Sequence, residues 1–339
     1  MMVNPPIPAR RRRLALFVRV AVSCILVGLL ASRIDWQLTL ASLAQVRWEL
    51  CGAAWLLYLA SQVTSARRWS GLARPLGFEF PFLHYLRLYF EGSFFGLCLP
   101  GSIGGDVVKA YRLGQDTPSR LLAGCSVLAD RLSGLSALLV LAASGALARE
   151  LELSWPAALA VGGICSAVAI GAIQLVTWVA ARFRRQSLAA DNDRWARLAV
   201  YATRQQLLTN SFGWSLVVQG LNVATVWTLS KALGLEVPVV ALFIAVPLVA
   251  LAATIPITLQ GIGIREGGLA LLLASSGVTT EQGATLGLFW FLVAAASGIL
   301  GGFVYLSRRR ESLSDTTVRP SSPLHAVASP PVRAQGSLP

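Results

Sequence analysis

Asp130 and Arg131 stand side by side inside the apolar run Leu121 to Ala148. At ~1.5 Å per residue Asp130 lies about 14 Å along that run, near the middle of a bilayer core roughly 30 Å thick. A charge at that depth costs about 2.5 to 3.5 kcal/mol on insertion scales, so each requires a partner or water. Adjacent helical positions do not face one another, so the two side chains address different neighbours. Glu91 sits at a comparable depth in the hydrophobic block beginning at Phe82, and Asp106, Lys109 and Arg112 recur at one-turn spacing, which stacks them on one helical face. Arg265 and Glu266 open a further apolar run. The cations Lys109, Arg112, Arg131 and Arg265 could make charge-assisted hydrogen bonds to an oxyanion. The carboxylates Glu91, Asp106, Asp130 and Glu266 would either carry protons or hold those cations in place.

Two interruptions position these groups. Leu99-Pro100-Gly101-Ser102-Ile103-Gly104-Gly105-Asp106 and Ile255-Pro256 through Gly261-Ile262-Gly263-Ile264-Arg265-Glu266 each end a hydrophobic run with proline, pass through glycines and bring charge to the start of the next run. Such breaks leave backbone groups unpaired in lipid, so they persist only inside protein or beside a wet cavity. A helix starting there at Gly104 or Gly105, or at Gly263, would aim free N–H groups and its positive dipole end inward, a ready site for phosphate.

Composition sets the class. The chain is 55% hydrophobic and only 13% charged, with a mean hydropathy of +0.63, against about 25% charged residues in soluble domains. The expectation is an all-α, polytopic membrane bundle. Six runs approach or exceed the roughly 20 residues of a spanning helix: Leu14 to Ala31, Trp48 to Ala66, Leu121 to Ala148, Trp155 to Ala181, Leu208 to Gly234 and Glu281 to Leu306. The blocks from Phe82 to about Arg120 and from Pro238 to Ser276 then become two broken or re-entrant hairpins entering from opposite sides. That arrangement suggests an inverted repeat, with a site near the midplane, although the two halves are only weakly similar in sequence.

Net charge is +13, but its placement excludes a nucleic-acid role. Arg10 to Arg13, then Arg67, Arg68 and Arg74, then Arg182, Arg184, Arg185, Arg194, Arg197 and Arg204, and finally Arg308 to Arg310 cluster at run borders. Only Arg33, Arg47 and Arg149 lie opposite, the positive-inside pattern, which puts both termini in the cytoplasm. The expected organisation is a basic segment 1–13, a membrane domain 14–306 and a Pro/Ser-rich, disordered tail 307–339. Cys24, Cys51, Cys98, Cys125 and Cys165 all lie in apolar runs and read as free thiols. Gly283, Gly287, Gly298 and Gly302, at four-residue spacing within each pair, read as surfaces for close helix approach. Gln219 and Asn222 read as interhelical hydrogen-bond groups.

Arg67-Arg68-Trp69, Leu99-Pro100-Gly101 through Asp106 with Lys109 and Tyr111, Asp130-Arg131 with Gly134, and Ile255-Pro256 through Gly267 resemble the lysylphosphatidylglycerol synthase transmembrane region over roughly residues 10 to 310. The resemblance implies a flippase-like protein of the inner membrane that binds and translocates an anionic phospholipid or polyprenyl-type lipid. Lys109 departs from the arginine expected in that family. The cytosolic transferase domain of full-length synthases is not expected here, so the chain reads as a non-enzyme. His84 and His325 are the only histidines, and both lysines are followed by alanine, so no His metal cluster, Walker loop or cofactor is expected. Three alternatives stand beside translocation. They are an ion-pair lattice of Asp130, Arg131, Arg265 and Glu266 that only locks helices, a transferase using Asp106 and Asp130 on a lipid phosphate, and a scaffold for lipid-biosynthesis enzymes.

Overall fold

The structure, a computed structural model, describes residues 46–98, 104–115, 120–150, 157, 160, 163–167, 198, 200–255, 258 and 261–317. The described residues are helical: α1 (Trp48–Ala73), α2 (Phe82–Cys98), α3 (Gly104–Leu113), α4 (Arg120–Glu150), the single turn α5 (Val200–Thr203), α6 (Gln205–Ala232), α7 (Val239–Thr254), α8 (Ile264–Leu273) and α9 (Thr280–Thr317). The expected runs beginning at Trp48, Leu121, Leu208 and Glu281 correspond to α1, α4, α6 and α9. The run Leu14 to Ala31, the segment 1–13, most of Trp155 to Ala181 and residues 318–339 lie outside the described residues. Helix α9 continues to Thr317, into the segment expected as the start of the tail.

Within α4 and α9, Arg120–Leu147 and Thr280–Ser307 are long and apolar enough to cross a membrane. Helices α1 and α6 match them in length at 26 and 28 residues, but Ser61, Gln62 and Ser65 on one and Gln219 and Asn222 on the other dilute their hydropathy. Those polar residues turn inward, as described below. Arg67 and Arg68, expected in a loop after Ala66, are instead inside α1. The helix runs two turns past the hydrophobic run because Arg68 is drawn into the bundle, where it is 5% exposed.

Helices α1 and α6 run antiparallel. The Arg47 N–H donates to the Ala232 carbonyl at 3.0 Å, and the Arg68 guanidinium, near the other end of α1, reaches Ser215 at 2.9 Å. Each helix leads through a left-handed glycine, Gly77 (φ 99) or Gly234 (φ 69), into a helical hairpin. Both hairpins close tightly across their breaks. A Cβ on Gly105 of α3 would lie 2.1 Å from the Gly92 carbonyl oxygen of α2, and one on Gly268 of α8 would lie 2.7 Å from the Val249 side chain of α7. Because α1 and α6 point in opposite directions, the hairpins that follow them start from opposite ends of the bundle.

The two halves pack as images of one another. If α1, α2, α3 and α4 exchange with α6, α7, α8 and α9, each substantial packing contact among these helices has its counterpart. Helix α9 on α2 mirrors α4 on α7, α8 on α9 mirrors α3 on α4, and α1 on α6 is its own image. A sequence match follows the same exchange. Leu72-Ala73-Arg74-Pro75-Leu76-Gly77-Phe78-Glu79-Phe80-Pro81 aligns with Leu229-Ser230-Lys231-Ala232-Leu233-Gly234-Leu235-Glu236-Val237-Pro238 at one constant separation. Pro100, Gly105 and Lys109 pair with Pro256, Gly261 and Arg265 at a separation one residue shorter. The fold is therefore an inverted repeat.

Glycines on α9 allow both hairpins to dock. A Cβ on Gly283 or Gly287 would meet the α8 backbone at Ala270 or Glu266, while Gly298, Gly301 and Gly302 lie against Leu97, Phe90 and Phe94 of α2. The first glycine pair thus seats the second hairpin, and the later glycines seat the first. A core of aliphatic side chains from α1, α6, α7, α8 and α9 fills one side of the bundle, including Val226, Leu242, Leu269 and Leu286. Trp69, Tyr85, Leu88 and Leu122 anchor a second core.

Candidate functional site

Both hairpins open onto one polar cavity of about 270 Å³. Tyr89, Gly92, Gly105, Asp106 and Lys109 line it from the first hairpin, and Ala250, Thr254 and Arg265 from the second. Arg131 of α4, Trp290 of α9, Tyr58 and Gln62 of α1, and Gln219 and Asn222 of α6 complete the wall. A second cavity of about 190 Å³ adjoins it through Tyr58, Gln62, Arg131, Gln219 and Thr254 and extends to Arg68 and Asp130. Together they exceed the roughly 300 Å³ at which small-molecule sites begin. Gln62 and Gln219 are partners under the constant separation that relates α1 to α6, so the site lies where the two halves meet.

Ion pairing divides the charged residues. Asp130, 2% exposed, accepts from Arg68 Nε at 2.7 Å, and Arg131 turns the other way to donate to Asp106. The adjacent pair thus has different neighbours, as their angular spacing requires. Asp106 also holds Lys109 Nζ at 2.8 Å, and that ammonium lies 4.3 Å from the centre of the Tyr89 ring, a favourable position for a cation. Arg68 further donates to Ser215, which joins Ser133 at 2.8 Å, so one buried polar network ties α1, α4 and α6.

Arg265 is placed differently. Among the described residues it forms no ion pair. Its guanidinium lies 4.9 Å from the Trp290 ring, and its buried Nη1 has no hydrogen-bond acceptor. The indole Nε1 of Trp290, a residue 4% exposed, is also without an acceptor. The lattice reading, in which Arg265 joins Asp130, Arg131 and Glu266, does not describe this geometry, because each of those three is engaged elsewhere.

Two further expectations need correction. Arg112 does not share the Asp106 and Lys109 cluster. It reaches back to Glu91 on α2 at 3.8 Å and lies over Tyr305, because six residues at about 100° each leave it roughly 120° around the helix from Asp106. The start of α8 is not an open anion site at its first N–H. The Gly263 N–H, at φ 85, donates to Glu266 Oε2 at 2.7 Å, closing a capping box. Gly104 starts α3 but is not among the cavity-lining residues. Asn222 donates to Gln219 within α6 at 3.2 Å rather than across to another helix.

Arg68, Tyr58, Gln62, Tyr89 and Trp290 were not singled out as site residues by sequence reasoning. One signal was available for Gln62: it is a polar residue at helical spacing from Ser65, within an otherwise apolar helix, as Gln219 is from Asn222. Over the two adjoining cavities four cations, Arg68, Lys109, Arg131 and Arg265, face two carboxylates, Asp106 and Asp130. The site carries excess positive charge with neutral donors around it, which favours an anion.

A family model described as lysylphosphatidylglycerol synthase TM region matches residues 16–302. No curated protein and no solved structure matches.

Proposed function

The chain belongs to the lysylphosphatidylglycerol synthase TM region family, and on that premise we propose that it binds the phosphate of an anionic membrane lipid and carries the headgroup across the inner membrane. In this reading it is a multi-pass translocator with both termini cytoplasmic, and it catalyses no covalent step. The family places it in the membrane and in lipid-related processes. What supports translocation is a single observation: Arg265 presents a guanidinium with an open donor to a polar cavity shared by two oppositely directed hairpins. Arginine's planar fork suits a phosphate diester, because two parallel N–H donors match two oxygens. Asp106 balances Lys109 and Arg131 until a phosphate competes for them.

The test is transport in vesicles. Purified protein is reconstituted with fluorescent phosphatidylglycerol, and inward and outward movement is read by quenching of the dye on one leaflet. Wild type is expected to accelerate exchange. Arg265→Ala should slow it by about 10-fold or more, since hydrogen bonds to charged groups contribute about 1.5 to 3 kcal/mol. Equal rates in the two proteins, with equal incorporation, would overturn the assignment of Arg265.

A further inference from the structure

An apolar groove of about 430 Å³ runs between α3 and α4 beside the polar cavity. Val107, Ala110, Val127, Leu128 and Leu135 line it, and three residues, Asp106, Arg131 and Thr254, belong to both its wall and that of the polar cavity. We propose that this groove seats one hydrocarbon chain of the lipid whose phosphate meets Arg265, the chain leaving the headgroup cavity past Asp106, Arg131 and Thr254. This inference rests on the function proposed above and adds where the tail lies.

Three features support that occupant over a folded protein segment or bulk lipid alone. Val107 and Leu128 are 60% and 58% exposed, so the groove opens outward from the helix pair and not into the core. Its wall is almost wholly aliphatic apart from the three shared residues at its inner edge, the amphipathic division a lipid presents between chain and phosphate. The Arg131 side chain is 41% exposed while its partner Asp106 is 11% exposed, so the ion pair stands at the boundary with its arginine on the accessible side. A phosphate passing that boundary can exchange for the Asp106 carboxylate on Arg131 without leaving the guanidinium bare. A chain in the groove needs no such exchange, because aliphatic contact is non-directional.

The experiment uses the full chain in phosphatidylglycerol vesicles doped with a phosphatidylglycerol analogue carrying a diazirine in one acyl chain. After illumination, adducts are mapped by mass spectrometry and compared between the groove residues and Leu271, a residue 77% exposed on α8. Groove adducts are expected to exceed those at Leu271 several-fold. They should fall to the Leu271 level in Arg265→Ala and when soluble glycerol phosphate competes for the cavity. Val107→Trp and Leu128→Trp, which fill the groove at exposed positions, should slow lipid exchange about 10-fold, while Leu271→Trp leaves it unchanged.

Groove adducts no denser than at Leu271, or insensitive to Arg265→Ala, would show ordinary boundary lipid and overturn the proposal. Adducts from a photo-crosslinking residue at position 128 that join it to another segment of this chain would overturn it as well, by showing that protein covers the groove. If Arg265→Ala stops exchange and the tryptophan variants do not, only the groove assignment fails. If Arg265→Ala leaves exchange intact, the headgroup assignment itself fails.

Discussion

Lys109 and Arg265 occupy equivalent positions in the two hairpins, yet Lys109 is held by Asp106 at 2.8 Å and Arg265 has no acidic partner among the described residues. The repeat is therefore symmetric in its backbone and asymmetric in its charge. An inverted repeat offers two related arrangements in which the halves exchange roles. The charge asymmetry gives that exchange something to act on: one hairpin presents a free cation while the other is neutralised.

Asp106→Asn removes the only carboxylate that pairs with both Lys109 and Arg131 among the described residues. The buried Lys109 ammonium would then lose its carboxylate, and the part-exposed Arg131 would lose its contact with Asp106, which lowers stability in the absence of anions. Added inorganic phosphate should restore the midpoint of thermal unfolding in this variant far more than in wild type. Lipid exchange should slow, because the phosphate is now held at the first hairpin with no competitor. A variant that melts like wild type with and without phosphate would show that Asp106 does not control these cations.

Arg68 and Asp130 form the most deeply buried ion pair in the described bundle, with side chains 5% and 3% exposed. Replacing either alone by alanine leaves the other buried and unpaired, at a cost of about 3 to 5 kcal/mol. Replacing both, as Arg68→Met with Asp130→Leu, should recover most of that loss. Denaturation in detergent checks both statements. Retained stability in the single variants would mean that water reaches the pair.

How much of this was legible before the fold was known differs by level. The hairpins were, because Pro100 and Pro256 followed by glycines break apolar runs in a way lipid does not tolerate. The glycines of α9 were legible through their spacing, although only the fold shows that one set meets α8 and the other α2. Arg68 was hidden because hydropathy ends the run at Ala66, and hydropathy cannot see a carboxylate on another helix. Which cation remains free was equally out of reach. Asp106 stands one turn before Lys109 on the same helix, but only the fold shows Glu266 turning back to cap its own helix and no carboxylate reaching Arg265 among the described residues. The equivalence of the halves was legible from the two oppositely entering hairpins but only weakly from residue identities. Its sequence trace concentrates in the short stretches around Gly77 and Gly234, whereas the helices keep only their apolar character.

Close packing predicts opposite signs for glycine substitutions. At Gly301 a Cβ would sit 2.0 Å from the Phe90 carbonyl oxygen, and at Gly287 it would sit 2.6 Å from the Glu266 Cα. Backbone cannot yield as a side chain does, so Gly301→Ala and Gly287→Ala should each destabilise by about 1 to 3 kcal/mol. Gly220 lies inside α6 with nothing within 4 Å of its would-be Cβ, so Gly220→Ala should stabilise by about 0.5 to 1 kcal/mol through helix propensity alone. Unfolding curves of the three variants test the packing of α9 against both hairpins at once.

Gln62 and Gln219 test the symmetry itself. Both line both polar cavities, and the exchange of halves carries one into the other. If the two arrangements alternate around the same site, each glutamine meets the headgroup equally often over a transport cycle. Gln62→Leu and Gln219→Leu should then slow lipid exchange by similar factors, within about threefold of each other. The effect should be smaller than for Arg265→Ala, since a neutral hydrogen bond contributes about 0.5 to 1.5 kcal/mol against about 1.5 to 3 for a charged one. Measured rates that collapse for one leucine variant and are unaffected for the other would show that the headgroup uses only one half of the repeat, and that the halves do not exchange roles during transport.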